Sequence, residues 1–419
     1  MKEFDLKNYG LIGKSLGHSM SKYIHGDLWG YDYKLQNLNE SELDYFLKEK
    51  NFKGLNVTIP YKEKVIKYLD KLNDLAEDIG AVNIIKNNNG KLEGYNTDYY
   101  GFDYMLKRAN ISYDDKKVLI LGSGGASKMV QKYCKDKDAK KIIVISRTGE
   151  NNYENLGKFK DFDAIVNASP VGMYPKNLES KIDIDLFTKL DSVVDLIYNP
   201  LKTKLLLDAE SENIKIASGL DMLVGQAFYS AEIFFDKKLD QASIEKTCKL
   251  LEREIMNITF VGMPGSGKTR MASLLAKDLG KKLIDIDKEI EKKEKLNIED
   301  IFKYKGEKYF RKIESQVLLD FSKERGQIIS TGGGSILSEI NRHAIRQNSF
   351  VIFLNRPVEK LSRRRRPLSK DLESLKNMYE KRISYYKEVS DIEIDVEESI
   401  SKTYEKIKRK LIKHEIISD

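Results

Sequence analysis

The sequence predicts an α/β protein: a mixed α/β segment first, then two successive domains built on parallel sheets. Three observations carry that expectation. Short apolar runs alternate with polar helical stretches in two series, the habit of strands buried on both faces of a parallel sheet. Each series starts with its own glycine-rich loop, GSGGAS at 122–127 and GMPGSGKT at 262–269. The 419 residues, 41% hydrophobic and 33% charged, suit two or three globular domains of about 100–200 residues each.

The first series runs through KKVLILG (116–122), KKIIVIS (140–146), FDAIVNAS (162–169), SVVDLIY (192–198) and IKIASG (214–219). The second runs through NITFVG (257–262), KKLIDID (281–287), GQIIST (326–331), SFVIFL (349–354) and DIEIDV (391–396). Between them IEKTCKLLEREIM reads as a polar connecting helix, which puts the main boundary near residue 255. The expected division begins with 1–105 as a segment with its own mixed α/β pattern. Residues 106–219 form a dinucleotide-binding domain, 220–255 returning helices and connector, and 256–419 a phosphate-loop domain.

Bulk chemistry narrows the function. No stretch approaches ~20 apolar residues, and the opening MKEFDLKNYG has no apolar leader core, so a cytoplasmic protein without a membrane partner is expected. The net charge of +8 is spread over lysines interleaved with acids. That favours anionic small molecules over nucleic acid. Cys134 and Cys248 form no C-x-x-C and the four histidines no H-E-x-x-H, so no metal cluster or disulfide framework is signalled. Oligomeric state is not legible.

GMPGSGKT fits the phosphate-cradle pattern at Gly262, Gly267, Lys268 and Thr269, with Gly265 and Ser266 inside the loop. Glycine lets successive backbone N–H groups turn inward toward phosphate oxygens. The helix that follows adds its positive end. Lys268 then reaches the outer phosphates and the Thr269 hydroxyl suits Mg²⁺, so ATP is the expected nucleotide. GSGGAS follows a strand and opens a helix, and supplies Gly122, Gly124, Gly125, Ala126 and Ser127 as a dinucleotide cradle of the Rossmann kind. The next strand ends in Ser146, Arg147 and Thr148. An acid there would select NAD, whereas arginine accommodates the 2′-phosphate of NADP; NADPH/NADP is expected. A solvated Arg147 is the alternative.

The residues after the second loop resemble shikimate kinase over nearly all of 256–419. They are IDIDKEIE with Asp285 and Asp287, GEKYFRKIE with Arg311 and Glu314, the triplet Gly332, Gly333 and Gly334, the lid end Arg366–Pro367–Leu368, and Arg382 in KRISYY. The resemblance implies that Asp285 and Thr269 hold Mg²⁺. It makes Asp287 the group that grips the acceptor hydroxyl and takes its proton. Arg311, Arg382 and the glycine triplet bind substrate, while Lys268 and Arg366 stabilise the transferring phosphate. The RRRR block at 363–366 is read as a lid, over a solvated face or a nucleic-acid patch. Ser369 and Ala272 depart from the family pattern.

The first part resembles shikimate dehydrogenase over about 1–245. The matching segments are GHSMS with Ser19 and Ser21, GLNVTIPYKEKV with Asn56, Thr58 and Lys62, GAVNII with Asn83, and GYNTDYYG with Asn96 and Asp98. NASPVGM, DLIYNP with Tyr198 and GLDMLVGQAFYSAEIF with Gln226 complete the set. The resemblance implies that residues 1–105, completed by about 220–245, form the substrate-binding and catalytic domain, with Lys62 and Asp98 as the catalytic pair and Ser19, Ser21, Thr58, Asn83, Tyr198 and Gln226 around the substrate. Residue by residue, plainer readings stay open: Ser19, Ser21 or Asp98 as helix caps, Asn83 as a turn residue, Lys62 as a surface lysine. Lys22 and Gly26 depart from the pattern, and GENN follows Thr148 where a second basic residue is usual. Together the two resemblances imply consecutive reactions: reduction of 3-dehydroshikimate to shikimate, then its phosphorylation. Quinate as a further substrate of the first, and another hydroxy acid for the second, are the competing readings.

Overall fold

The computed structural model describes residues 8–17, 19–147, 149–361 and 372–418. The chain forms two compact units. The first comprises Met1–Met173, Glu179–Asn199 and Asp208–Cys248, the second Tyr174–Leu178, Pro200–Leu207 and Lys249–Asp419. The expected connector is a helix, Ala242–Ile255, and the division falls within it rather than after it. Two short segments from the stretch expected to belong wholly to the dinucleotide-binding domain lie in the second unit. There Asn177 donates to Gln347 Oε1 at 2.5 Å and Asn348 donates to the Tyr174 hydroxyl at 2.7 Å.

The first unit holds two sheets. One is mixed and six-stranded: β1 (Tyr9–Gly13), β2 (Tyr33–Asn37), β3 (Gly54–Val57), β4 (Lys71–Leu72), β5 (Ile84–Asn88) and β6 (Lys91–Tyr95), in the order β2-β1-β3-β5-β6-β4. Parallel pairing of β1 with β2 and β3 gives way to antiparallel β3–β5–β6. Its core includes Ile12, Leu55, Val57, Tyr61 and Ile85, all fully or nearly fully buried.

The other sheet is fully parallel: β7 (Lys117–Leu121), β8 (Lys141–Ile145), β9 (Ala164–Asn167), β10 (Ser192–Asp195) and β11 (Lys215–Ser218), in the order β11-β10-β9-β7-β8. The order reverses at β7, where GSGGAS leaves the sheet. Ligands bind at such reversals, outside the carboxyl ends of the strands.

The second unit carries β12 (Asn257–Val261), β13 (Lys282–Asp285), β14 (Gln327–Ser330), β15 (Ser349–Asn355) and β16 (Ile392–Asp395), parallel in the order β13-β14-β12-β15-β16. All five residues of β12 are buried, as a central strand requires, and the phosphate loop leaves its end. Each strand anticipated from the apolar runs of 116–219 and 257–396 is present. No helix among the described residues is long and apolar enough to cross a membrane.

Two glycines set how the first site is assembled. The helices Asp98–Arg108 and Gly219–Phe235 cross where Gly101 meets Gly225. A Cβ on Gly101 would lie 2.5 Å from the Met222 carbonyl oxygen and 2.7 Å from the Gln226 nitrogen, and one on Gly225 would lie 3.0 Å from the Gly101 Cα. Only bare backbones approach so closely, and the approach brings the start of one helix to Gln226 of the other.

Candidate active sites

In the first unit, Lys62 Nζ lies 2.5 Å from Asp98 Oδ2. Asp98 is buried and is the first residue of its helix rather than its cap; Asn96 accepts its backbone N–H at 3.1 Å. The other Asp98 oxygen accepts from Asn83 Nδ2 at 2.9 Å. Asn83 lies at a bend just before β5, is 2% exposed and is hydrogen-bonded on both its amide atoms, to Thr97 and to Asp98. Gln226 is buried and accepts from Asn56 Nδ2 at 3.4 Å. Ser21 is buried, and Ser19 Oγ accepts its backbone N–H at 3.2 Å. Thr58 is half-buried just past β3 and Tyr198 half-buried just past β10. Lys62, Asn83, Asp98, Ser21 and Gln226 thus belong to one polar cluster. Asn56, Thr97 and Ser230, to which the sequence reading assigned no role, lie inside it.

The dinucleotide-type loop borders this cluster. A Cβ on Gly125 would lie 3.6 Å from Ala81 and 3.8 Å from Glu63, sequence neighbours of Asn83 and Lys62. Gly122 has φ +108° and its Cβ would lie 3.0 Å from the Ala168 carbonyl, so a side chain is excluded there. Around Gly124 the space is open, and no side chain caps the helix Gly125–Asp136 that begins there. Those amides fit a pyrophosphate. Ser127 is fully buried and its hydroxyl accepts from Gln131, which leaves the loop backbone as the cradle. Arg147 is exposed and has no acidic partner among the described residues, a state that suits an extra phosphate. Thr148 lies outside the described residues.

In the second unit a cavity of about 720 Å³ is lined by Gly265, Gly267, Lys268 and Thr269 on one side and by Asp287, Arg311, Gly333 and Arg382 on another. Gly262, Gly265 and Gly267 have φ of +145°, +84° and +102°, the left-handed region that favours glycine. Ser266 Oγ is buried with no hydrogen-bond partner among the described residues. Lys268 is buried and its Nζ donates to the Gly262 and Met263 carbonyls at 2.9 and 3.0 Å. The loop therefore fits a nucleotide's phosphates. Thr269 Oγ1 donates to Asp285 Oδ2 at 2.7 Å, which joins the hydroxyl and carboxylate that the resemblance gives to Mg²⁺.

Burial, then the nearby Asp285 carboxylate, pushes the Asp287 carboxyl up to about 6. Arg311 donates to Glu314 Oε2 at 2.6 Å, and Ser335 donates to the other Glu314 oxygen at 2.7 Å. Arg382 is 7% exposed; it donates to the Gly333 carbonyl at 3.0 Å and has no acidic partner among the described residues. A buried guanidinium without a carboxylate is costly unless an anion completes it. Burial, with Arg311 adding repulsion, holds its pKa below the usual value. The glycine triplet makes room: Cβ atoms would collide with Glu314 on Gly332, Pro264 on Gly333 and the Arg311 guanidinium on Gly334. Tyr386, fully buried and stacked on Phe353, donates to the Gly333 carbonyl at 2.5 Å. Ser335 and Tyr386 escaped the sequence reading because nothing in a lone serine or tyrosine announces a supporting role. Arg366 lies outside the described residues.

A family model for the shikimate dehydrogenase substrate binding domain matches residues 11–85, and one for shikimate kinase matches 264–413. A shikimate dehydrogenase (NADP(+)) of Clostridium beijerinckii is 38% identical over 266 residues, which span 59% of this chain and 98% of the relative. The chain is a shikimate dehydrogenase family member that also carries a shikimate kinase domain. Shikimate dehydrogenase 1 from Peptoclostridium difficile superposes with a TM-score of 0.55 at 38% identity, covering 59% of this chain and 98% of its own. The Thermus thermophilus enzyme, solved with NADP(H) and shikimate, gives 0.53 at 28% identity, covering 58% and 99%. The dehydrogenase part is thus nearly full length against these relatives, and the kinase domain follows it.

Proposed function

We propose that the chain catalyses two consecutive reactions: NADPH-dependent reduction of 3-dehydroshikimate to shikimate, and ATP-dependent phosphorylation of shikimate at its 3-hydroxyl. The observation that carries the reading is the same in both units. A glycine-built phosphate cradle stands beside a group suited to proton transfer, Lys62 with Asp98 in one and Asp287 in the other.

In the dehydrogenase part, NADPH supplies the hydride when bound to Gly122, Gly124, Gly125 and the amides that follow, with Arg147 on its 2′-phosphate. Reduction leaves the former ketone oxygen in need of a proton. Lys62 Nζ donates to that oxygen, and Asp98 holds Lys62 in place. Ser19, Ser21, Thr58, Asn83, Tyr198 and Gln226 offer the short neutral donors and acceptors that a polyol needs.

In the kinase part, ATP with Mg²⁺ supplies the phosphoryl group when bound along residues 262–269, and Thr269 with Asp285 would hold the ion. Asp287 accepts the proton of the substrate hydroxyl. Arg382 and Arg311 clamp the carboxylate; the planar forks of two guanidiniums fit a carboxylate's two oxygens. Lys268 places positive charge on the phosphate in transit, a role proposed for Arg366 as well.

The test is a one-pot assay. Purified chain with 3-dehydroshikimate, NADPH, ATP and Mg²⁺ is expected to consume NADPH and accumulate shikimate 3-phosphate. Consumption without the phosphate would remove the kinase half of the proposal, and no consumption would remove the first.

A further inference from the structure

The Lys62–Asp98 pair is one end of a buried hydrogen-bond chain. From Asp98 it passes to Asn83, then Thr97, Ser230, Asn56 and Tyr33. Tyr33 also meets Ser21. Four of these links, Tyr33, Asn56, Thr97 and Ser230, carry none of the substrate contacts proposed above. Tyr33 is 3% exposed, Asn56 4%, Asn83 2%, and Thr97 and Ser230 0%, so water does not compete for their bonds.

Chemistry sets the direction of each bond. Ser230 sits one helical turn after Gln226, and its hydroxyl donates to the Gln226 carbonyl at 2.6 Å. With its proton committed, the Ser230 oxygen is an acceptor for everything else: Asn56 Nδ2 at 3.1 Å and the Thr97 hydroxyl at 3.2 Å. Thr97, its proton spent on Ser230, accepts from Asn83 Nδ2 at 3.0 Å. The other Asn83 N–H goes to Asp98, and Asn83 Oδ1 accepts the Thr97 backbone N–H at 2.7 Å. A flipped Asn83 amide would set its oxygen against the Asp98 carboxylate. Asn56 is fixed likewise. Its Oδ1 accepts from Tyr33 at 2.8 Å, which turns its Nδ2 toward Ser230 and Gln226 Oε1. Gln226 Nε2 is thereby the donor end, spending one N–H on the Leu223 carbonyl at 2.9 Å. A buried network in which every donor meets an acceptor has one arrangement of protons, and its loss at one point frees the rest.

We propose that Ser230, together with Thr97 and Asn56, is a positioning residue of the dehydrogenase reaction: it holds the amides of Asn83 and Gln226 in one orientation and, through Asn83, the carboxylate of Asp98. The inference rests on the reductase reading of this site. Alanine is well tolerated inside a helix, so Ser230→Ala removes the acceptor without disturbing the backbone. The freed Thr97 hydroxyl then has Asn83 Oδ1, 3.4 Å away, as its alternative, in competition with the backbone N–H already bound there.

The test uses the full chain and the variants Ser230→Ala, Thr97→Val, their double and Thr97→Ser, with the unsubstituted chain alongside. Reduction of 3-dehydroshikimate is followed by NADPH absorbance. Emission of Trp29, the chain's single tryptophan and a residue of the first unit, reports folding. The expected result is kcat lowered about 10- to 100-fold in Ser230→Ala and in Thr97→Val, with the KM for NADPH and Trp29 emission unchanged. The double variant is no worse than the weaker single, because both break one chain. Thr97→Ser, which keeps the hydroxyl, retains at least half of the original kcat. A kcat within twofold of the original in both losing variants overturns the proposal. So does a loss shared by Thr97→Ser, or one that follows the fraction unfolded by Trp29 emission. An unsubstituted chain that leaves NADPH unconsumed overturns the reductase reading itself, and this role with it.

Discussion

Replacing Asp287 by asparagine is expected to stabilise the second unit at alkaline pH while abolishing phosphorylation. The carboxyl is raised from 3.8 to about 6, by burial first and the Asp285 carboxylate second. That gap is about 2 pK units, or about 3 kcal/mol between its two protonation states. The sign follows from linkage. A carboxyl whose folded pKa is raised favours the fold when protonated, and that contribution fades as pH climbs through about 6. At pH 8 the ionised group therefore opposes folding by about 3 kcal/mol at most, and Asp287→Asn removes the opposition; at pH 4 the two proteins converge. The ionised form is also the one that accepts a proton, so the phosphorylation rate should rise as pH climbs from 5 toward neutrality. Chemical denaturation of the second unit at pH 4 and 8, with initial rates from pH 5 to 8, checks both. A variant no more stable at pH 8 than the parent, or a flat rate profile in the parent, would refute the reasoning.

Four further outcomes are expected. Lys62→Ala abolishes NADPH consumption and spares phosphorylation of added shikimate, and Lys268→Ala does the reverse; loss of both activities from either change contradicts separate sites. Arg147→Ala narrows the preference for NADPH over NADH in paired initial-rate measurements, since that exposed arginine has no acidic partner among the described residues. Gly101→Val drives a side chain into the Met222 carbonyl and Gln226 nitrogen; it is expected to cost about 1–3 kcal/mol of first-unit stability, read by Trp29 emission in urea, and to lower reduction with it. Arg382→Met is expected to raise the KM for shikimate in the kinase reaction by at least tenfold and leave the KM for ATP within twofold, because Arg382 lines the cavity beside Arg311 and Gly333, the part proposed to hold the substrate carboxylate.

Much of the architecture was legible in the chain because its signals are local. A run such as VLIL or NITFV followed by a glycine loop and an amphipathic stretch needs only its neighbours to become strand, turn and helix. The same holds for the phosphate cradle, whose positive φ at Gly262, Gly265 and Gly267 restates the glycine pattern. The unit boundary was less legible. Helix Ala242–Ile255 is continuous, and nothing in its sequence marks the point within it where the packing partner changes.

The sequence by itself determined the two cradles, the strands that carry them and the chemical types gathered around them, since each follows from short-range pattern. Tertiary structure alone decided three things. It placed Asp98 against Lys62 and Asn83, residues 36 and 15 positions away. It gave Gly332, Gly333 and Gly334 their purpose as space for Glu314, Pro264 and Arg311. It threaded Tyr33, Asn56, Thr97 and Ser230 into one polar chain. The physical reason is common to all three: a buried polar group takes its meaning from the donor or acceptor that meets it, and the partner arrives from a distant segment only when the cores have packed.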